Sequence, residues 1–316
     1  MIAGGIDGGG TKVECVMVSD AGEILGYGIG GPVNTNFSPV ETVVQSFDQA
    51  AASALASLTG QQVAVVVAGS PTNPALLSSL ITHWFPRATV VLAGEGELVL
   101  AAGGMVERGV AVISGTGSLA MARDGWRKLA VGGWGALLGD EGSAYDIGLN
   151  ALRAVCQADD GRLPPTALSE AVCCWGQIDR MRDLPRVIHG SDAKCGDRFA
   201  IAGLARMVAE VAGRGDETAH RLLTEAGARL ADQVNTVVRR IGFSAREAFD
   251  VIASGGVLMH NPVVFETLLG RVLESWPDAR VARARVPPAV GAAAIALTTA
   301  GAPTEDVARL FNAPTA

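Results

Sequence analysis

The chain has 316 residues, of which 49% are hydrophobic and 18% charged, enough apolar material for one large domain or two of ordinary size. Its net charge of -7 argues against a nucleic-acid or anionic-membrane surface, because either surface needs a basic patch. The five cysteines form no CxxC pair, which argues against zinc and iron–sulfur sites and favours reduced thiols in a cytoplasmic protein: they are Cys15, Cys156, Cys173, Cys174 and Cys195.

Neither a membrane span nor an export signal is expected. Met1 leads directly into an apolar strand with no basic segment, unlike a signal peptide. Residues 49–86 carry no Asp, Glu, Lys or Arg, but Pro, Gly, Asn and Gln interrupt them. The chain therefore has no run that approaches the ~20 apolar residues of a bilayer-spanning helix.

Strand and helix signals alternate in the first third of the chain. Residues 2–6 and 13–18 are predicted strands on either side of a glycine loop, and a turn at 20–22 leads into a third strand at 23–27. A helix, a strand, a helix and a strand are then predicted at 40–56, 62–69, 74–85 and 89–93. This alternation indicates an α/β sheet covered on both faces.

The opening pattern returns in the middle of the chain. "VAVISGTGSLAMARDGW" at 110–126 is again a strand, a glycine loop, a strand and a turn, as in the segment around "IDGGGTK" at 6–12. The repeat predicts two related α/β halves, each offering a glycine loop to a shared cleft.

Helices dominate the predictions for the rest of the chain. They cover 147–156, 201–212 and 216–241, whereas 159–197 is predicted to be irregular. A strand at 250–256 enters a glycine turn, and a helix is predicted after Asn261-Pro262. "VPPAVGAAAIALTTAG" predicts a final helix of small residues, suited to close packing.

The first glycine loop allows two interpretations. Backbone N–H groups of Gly9 and Gly10 suit phosphate oxygens, and Thr11 and Lys12 would add a hydroxyl and a charge. Asp7 could hold Mg²⁺ through water. The alternative is a plain β-turn with a surface lysine. The loop is not a Walker loop, which needs GxxxxGK[ST] opening a helix. It is also a poor dinucleotide fingerprint, because a strand follows it rather than a helix.

Three further stretches carry candidate ligand-binding residues. "SGTGS" at 114–118 is the second glycine loop, and its alternative interpretation is a hairpin. "GGWGALLGDEGSAYDIG" at 132–148 frames an acidic pair with glycines, and Ser143 is the predicted N-cap of a helix. Gly255 and Gly256 follow a strand, where glycine lets a flat ring or a ribose lie against the backbone; the alternative is a simple turn.

Taken in order, these stretches resemble the sugar-kinase/Hsp70/actin ATPase superfamily, and within it the branch that contains N-acetylglucosamine kinase and the BadF/BadG/BcrA/BcrD ATPase domain. The resemblance covers residues 2–297 and implies an α/β, actin-like ATPase fold with two ribonuclease-H-like lobes and an interlobe cleft. The implied lobes are 1–113, with a C-terminal helix at about 290–316 packing back on it, and 114–289 with a helical insertion. ATP with Mg²⁺ and an amino-sugar substrate are implied as well, and we expect the protein to be a homodimer.

The resemblance also implies roles for individual residues. The first phosphate loop would be Asp7, Gly9, Gly10, Thr11 and Lys12, the second Gly115, Thr116 and Gly117, the adenosine-binding turn Gly255 and Gly256, and the sugar contacts Asn34 or Asn36, Thr116, Gly133, Trp134 and Asp140.

One position departs from the family pattern. The family usually has an aspartate after the strand that precedes the second loop, and this carboxylate accepts the proton of the sugar hydroxyl. Here "VVLAGEGELVL" offers Glu95, immediately after the strand, and Glu97 as an alternative base. Glu95 as an ordinary solvated loop acid is the remaining interpretation.

The predicted function is transfer of the γ-phosphate of ATP to a hydroxyl, with O6 preferred, of N-acetylglucosamine or glucosamine. The alternatives are a kinase for another hexose and an ATP-hydrolysing activator of a reductase or dehydratase. A non-enzymatic sugar-sensing regulator and an actin-like filament protein also stay open. The four histidines are too scattered for a metal site or a catalytic triad, and we expect them to be structural or solvated.

Overall fold

The computed structural model describes residues 1–58, 60–190 and 198–312. The chain divides into two compact units. The first comprises Met1–Ala111 and Ala282–Ala316, and the second comprises Val112–Val281.

The first unit is built on a five-stranded sheet of order β3-β2-β1-β4-β5. β2 is antiparallel to both β1 and β3, whereas β1, β4 and β5 run parallel. Residues at the carboxyl end of β1 therefore lie beside the corresponding end of β4, where Asp7 pairs with Gly69. The strands are β1 (Ile2–Gly8), β2 (Val13–Ser19), β3 (Ile24–Gly30), β4 (Val63–Gly69) and β5 (Thr89–Leu92).

Helices cover the sheet of this unit on both faces, as its nearly continuous apolar strands predict. They are α1 (Val40–Leu55), α2 (Pro74–Trp84), α3 (Glu95–Ala102), and, from the end of the chain, α11 (Pro288–Thr299) and α12 (Thr304–Arg309). Ile6, Phe47 and Leu77 belong to one buried cluster, and Val16 and Leu98 to the other.

Glycine and alanine allow very close helix–strand packing here. A Cβ on Gly5 of β1 would lie 2.1 Å from the carbonyl oxygen of Ala289 in α11. A Cβ on Gly28 of β3 would lie 2.0 Å from the carbonyl oxygen of Ala50 in α1. Real side chains cannot approach backbone so closely, so these two glycines are required by packing.

The second unit contains a sheet of order β10-β9-β6-β7-β8. Read from β8, its strands follow the chain in the same 3-2-1-4-5 order as the first sheet. The repeated half that the two glycine loops predicted is therefore present in the topology. Its strands are β6 (Arg108–Ser114), β7 (Ser118–Asp124), β8 (Arg127–Gly132), β9 (Asp250–Ser254) and β10 (Arg280–Arg283).

Seven α-helices accompany the second sheet in the described residues. The longest, α8, is amphipathic, begins after an Asp216 cap whose side chain accepts from the Ala219 N–H at 2.8 Å, and ends before Gly242 at φ +93°. The helices are α4 (Ala144–Asp159), α5 (Leu168–Gly176), α6 (Leu184–His189), α7 (Arg198–Gly213), α8 (Glu217–Ile241), α9 (Gly256–His260) and α10 (Pro262–Ser275).

The irregular structure predicted for 159–197 is wrong where the structure describes it. This segment contains α5, a 3₁₀ turn at Met181–Asp183 and α6. Leu168 and Val172, four residues apart, bury one face of α5, a stripe too short to stand out from the flanking polar residues. Residues 191–197, with Cys195, lie outside the described residues.

Candidate functional site

The first glycine loop is a tight turn between the antiparallel strands β1 and β2. The Gly9 N–H donates to the Lys12 carbonyl at 2.8 Å and closes the turn. A Cβ on Gly8 would lie 2.6 Å from Cγ2 of Val33, so this glycine is needed for packing. A Cβ on Gly9 would meet nothing closer than 3.6 Å, so the backbone there is open to a ligand.

A buried acid lies in β2, two residues after this loop. Glu14, only 4% exposed, pairs with Asp7 in the β1–β2 register. Its Oε2 lies 2.8 Å from Nζ of Lys12, and its Oε1 accepts a hydrogen bond from the Tyr27 hydroxyl. Glu14 therefore orients the lysine of the loop. Glu14 was not among the residues predicted for the site, although a lone acid in the apolar strand "VECVMV" was the available signal.

Two carboxyl groups in this unit have raised pKa values. Burial, and then the charges of Glu95 and Glu14, raise the pKa of Asp7 to about 7, against an opposing effect of Lys12. Burial raises the pKa of Glu95 to about 7. Acids poised near neutral pH are typical of sites that bind cations or transfer protons.

Glu95 and Glu97 have different surroundings. Glu95 is the first residue of α3 and is only partly exposed. The interpretation of Glu95 as a solvated loop acid is therefore wrong. Glu97 Oε2 accepts the Gly94 N–H at 3.0 Å and caps the same helix. Of the two glutamates, Glu97 is therefore the one whose carboxylate is used as a helix cap.

The loop after β3, which carries the predicted sugar contacts, is joined to the first glycine loop. The Val33 N–H donates to the Gly9 carbonyl at 3.0 Å, and the Thr72 hydroxyl donates to the Val33 carbonyl. Asn34 is buried, and its Oδ1 accepts the N–H of Asn36 at 3.0 Å, whereas Asn36 is exposed. The predicted sugar loop and phosphate loop thus form one connected structure.

In the second unit, "SGTGS" and "GDEGS" are held together by hydrogen bonds although more than 20 residues separate them. Ser114 Oγ donates to the Gly142 carbonyl at 2.8 Å, and Ser118 Oγ donates to the Glu141 carbonyl at 2.7 Å. The Ala144 N–H donates to the Gly115 carbonyl at 2.9 Å. Each serine of the second loop therefore fixes the acidic turn. Ser143 also caps α4, as predicted.

Asp140 is buried at the centre of this arrangement. It is 2% exposed and has a φ of +60°, which is unusual for a residue other than glycine. Its Oδ1 accepts the Ser118 N–H at 3.2 Å, and its Oδ2 accepts from Nη2 of Arg198 at 2.6 Å. Burial raises the pKa of Asp140, while its bonds to Ser118 and Arg198 act in the opposite direction. A sugar contact by Asp140 would therefore have to share a carboxylate that is already engaged.

Four glycines of the second unit that were predicted to bind ATP fall into two groups. Packing requires glycine at 117 and 255. A Cβ on Gly117 would lie 2.6 Å from Nη2 of Arg198. A Cβ on Gly255, whose φ is +89°, would lie 2.4 Å from the Ser114 carbonyl oxygen. Packing does not require glycine at 115 or 256. A Cβ on either would meet nothing within 4 Å, and neither residue has a positive φ. Their missing side chains leave open backbone for a ligand.

The loop before the acidic turn exposes apolar side chains. Gly133, at φ +73°, donates its N–H to the Ser118 carbonyl at 2.9 Å, so this loop also joins the second glycine loop. Trp134 follows with 73% of its side chain exposed, and Leu137 and Leu138 are also exposed. Trp134 is thus available for contact with a ligand.

The structure groups the predicted residues by unit. Those in the first unit are Asp7, Gly9, Gly10, Thr11, Lys12, Asn34, Asn36, Glu95 and Glu97. Those in the second are Gly115, Thr116, Gly117, Gly133, Trp134, Asp140, Gly255 and Gly256. Across the described residues, no three His, Cys, Asp or Glu side chains are arranged to hold a metal ion, and no helix is long and apolar enough to cross a bilayer.

Comparisons with known proteins find one matching family and two similar amino-sugar kinases. The model of the BadF/BadG/BcrA/BcrD ATPase family matches residues 5–296. The chain is 28% identical to N-acetyl-D-glucosamine kinase of Dictyostelium discoideum, over 93% of this chain and 97% of that protein. It is also 28% identical to the N-acetylmuramic acid/N-acetylglucosamine kinase of Clostridium acetobutylicum, over 92% and 97% of the two chains.

A solved structure shares the fold. A candidate N-acetylglucosamine kinase from Chromobacterium violaceum superposes with a TM-score of 0.68 at 23% identity, covering 94% of this chain and 98% of that chain. The two-lobed α/β fold expected from the resemblance is therefore confirmed.

Proposed function

The chain belongs to the BadF/BadG/BcrA/BcrD ATPase family, and we propose that it transfers the γ-phosphate of ATP to an amino sugar, N-acetylglucosamine or glucosamine. The observation that carries the proposal is the second glycine loop, braced by the acidic turn and open at Gly115. The names of its curated relatives support the amino sugar over an unrelated acceptor. They also favour a kinase over an activator of a reductase or dehydratase.

The open backbone at Gly9, Gly115 and Gly256 supports roles for the glycine loops in binding ATP. Gly9, Gly10, Thr11 and Lys12 would bind phosphate oxygens from the first loop, with Lys12 oriented by Glu14. Gly115, Thr116 and Gly117 would do so from the second loop, and Gly255 and Gly256 would contact the adenosine. Phosphoryl transfer depends mainly on such positioning and on charge neutralisation.

Asp7 is the residue that we propose to hold Mg²⁺, through water. When bound, Mg²⁺ would offset the negative charge of the phosphates. The fit rests on the position of Asp7, a partly buried carboxyl at the end of β1, beside the first glycine loop and paired in register with Glu14.

Glu95 is the proposed general base. Its carboxylate would accept the proton of the attacking sugar hydroxyl, O6 in our proposal, and its pKa of about 7 is well matched to proton transfer at neutral pH. The glutamate is one methylene longer than the aspartate usual in the family, and it is the first residue of α3.

Sugar recognition is assigned to residues of both units. Asn34 or Asn36 would contact the sugar from the loop after β3, and Trp134 would offer an exposed ring. Thr116, Gly133 and Asp140 complete the proposed set. For Asp140 the contact would use the lone pairs that Ser118 and Arg198 leave.

An ADP-release assay tests the proposal. Purified protein with ATP and Mg²⁺ should release ADP faster with N-acetylglucosamine or glucosamine than without sugar. A panel of hexosamines and hexoses that gives no stimulation would reject the kinase. Analysis of the phosphorylated product would identify the hydroxyl, and light scattering would test the proposed homodimer.

A further inference from the structure

The helix α8 presents one face to the acidic turn of the second unit. A Cβ on Gly142 in that turn would lie 2.6 Å from the Ala226 carbonyl oxygen and 2.6 Å from Cγ of Leu230. Nη1 of Arg229 donates at 2.7 Å to Oδ2 of Asp146, the oxygen that also accepts the Gly142 N–H at 2.8 Å. Residues three and four positions apart share a face of a helix, so the turn packs against one continuous strip of α8.

Gln233, one turn further along this face, joins the acidic turn to the second glycine loop. Its Nε2 donates to the Glu141 carbonyl at 3.2 Å and to Ser118 Oγ at 3.4 Å. Ser118 Oγ itself donates to the same carbonyl at 2.7 Å. The helix, the turn and the loop therefore meet in one cluster of polar groups, in which Gln233 is only 7% exposed.

The other end of the same amide is unsatisfied. Gln233 Oε1 is buried and has no hydrogen-bond partner among the described residues. A Cβ on Gly132, whose φ is +80°, would lie 2.8 Å from this oxygen, so glycine leaves room for the amide. A buried acceptor without a partner costs stability, and an apolar side chain of the same shape would avoid that cost. Stability alone therefore does not explain a glutamine at this position, and such exceptions are expected at functional sites.

We propose that Gln233 is a positioning residue of the nucleotide site: its amide hydrogens hold Ser118 and the Glu141 carbonyl, and so fix the second glycine loop in the shape that binds phosphate. The inference rests on the proposed kinase function. Ser118 directly follows Gly117, and its N–H donates to Asp140, so a shift of Ser118 would move the backbone of the loop. Because positioning dominates phosphoryl transfer, loss of these contacts should weaken ATP binding rather than unfold the protein.

Gln233→Met tests the assignment, because methionine has a similar length and no N–H group. Ser118 Oγ and the Glu141 carbonyl keep each other as partners in this variant, and the unsatisfied Oε1 is removed. We therefore expect a thermal unfolding midpoint no lower than that of the wild type. The KM for ATP should rise about tenfold, with kcat and the KM for N-acetylglucosamine each changed by less than about twofold.

Asn235→Leu is the matched control. Asn235 is a second buried amide of α8, 8% exposed, and its Oδ1 accepts the indole N–H of Trp276, the residue after α10, at 2.9 Å. Positions two apart on a helix do not share a face, so Asn235 belongs to a different face of α8 from Gln233. The substitution leaves the indole N–H unpaired, so the unfolding midpoint should fall while the KM for ATP stays at the wild-type value.

Calorimetric titration with ATP in the absence of sugar gives a readout that does not depend on turnover. The dissociation constant should rise about tenfold in Gln233→Met and stay unchanged in Asn235→Leu. Wild-type affinity in Gln233→Met, an unfolding midpoint below that of the wild type, or equal weakening in both variants would overturn the assignment while leaving the kinase intact. If the wild type phosphorylates no hexosamine, the proposed function fails, and the same titration still decides whether Gln233 positions a nucleotide site.

Discussion

Nη2 of Arg198 lies 2.6 Å from Oδ2 of Asp140, and the two side chains are 13% and 4% exposed. The other carboxylate oxygen accepts the backbone N–H of Ser118, and the guanidinium occupies space that a side chain at Gly117 would need. The ion pair therefore contacts the second glycine loop at Gly117 and Ser118 and stabilises it. It links a residue at the start of α7 to the acidic turn 58 positions earlier.

Removing the arginine should destabilise the protein strongly. Arg198→Gln leaves a buried carboxylate without its cation, and we expect the free energy of unfolding to fall by about 3–5 kcal/mol at pH 8. Without the arginine the pKa of Asp140 rises further, so the folded state binds a proton more readily than the unfolded state. The loss should therefore shrink as the pH falls towards 5.

Urea unfolding at pH 8 and pH 5 measures both effects. Arg221→Gln serves as the control, because its pair with Glu225 is solvent-exposed and should contribute at most about 1 kcal/mol. A loss in Arg198→Gln no larger than in the control would show that the ion pair does not support the loop.

Gly115→Ala separates ligand binding from folding. A methyl group at this position meets nothing in the protein, so the free energy of unfolding should change by no more than about 0.5 kcal/mol. The same methyl would occupy the space proposed for phosphate, and ATP affinity should fall at least about tenfold, ~1.4 kcal/mol. Calorimetric titration with ATP measures it.

Substitutions of two other glycines serve as controls for Gly115→Ala. Gly203→Ala in α7, where a Cβ also meets nothing within 4 Å, should keep the wild-type affinity for ATP. Gly117→Ala, where the Cβ would collide with Arg198, should instead lower stability. Unchanged ATP affinity in Gly115→Ala would remove the second loop from the proposed phosphate site.

The two glutamates of α3 should respond differently to substitution. Glu95→Gln removes the proposed base and should lower kcat at least about 100-fold with sugar affinity largely kept. Glu97→Ala removes the helix cap and should cost about 1 kcal/mol of stability, with kcat close to that of the wild type. Steady-state kinetics and thermal unfolding of both variants decide between them; an active Glu95→Gln variant would place the base elsewhere.

The pH dependence of turnover follows from the raised pKa of Glu95. A base must be deprotonated, so kcat/KM should rise with pH through about 7 and fall roughly tenfold per unit well below it. Since the charges of Glu95 and Asp7 interact, the apparent pKa of this rise describes the two carboxyl groups together rather than either residue alone. The kcat/KM profile at saturating Mg²⁺ checks the prediction, and a flat profile between pH 5.5 and 8 would contradict it.

The alternation of strands and helices and the pair of glycine loops were predictable from sequence, because each leaves a local pattern. The repeat of the loops also foretold the matching order of the two sheets. Short elements were missed. α3 begins among glycines that hide its period, and α5 and α6 lie in a polar segment that was expected to be irregular.

The partners of the site residues were not predictable from sequence, because tertiary packing sets them. Glu14 reaches Tyr27 only once β2 and β3 pair in register. Arg198 meets Asp140 only when α7 packs beside the acidic turn. The glycines illustrate the same limit: Gly115 and Gly117 look equivalent in "SGTGS", yet only Gly117 is needed for packing.

Phosphate transfer to the sugar tests the central claim most directly. Wild-type protein incubated with Mg²⁺, N-acetylglucosamine and ATP labelled in the γ-phosphate should give labelled sugar phosphate, and Glu95→Gln should give almost none. Label found only as inorganic phosphate, with no sugar phosphate from N-acetylglucosamine or glucosamine, would contradict an amino-sugar kinase.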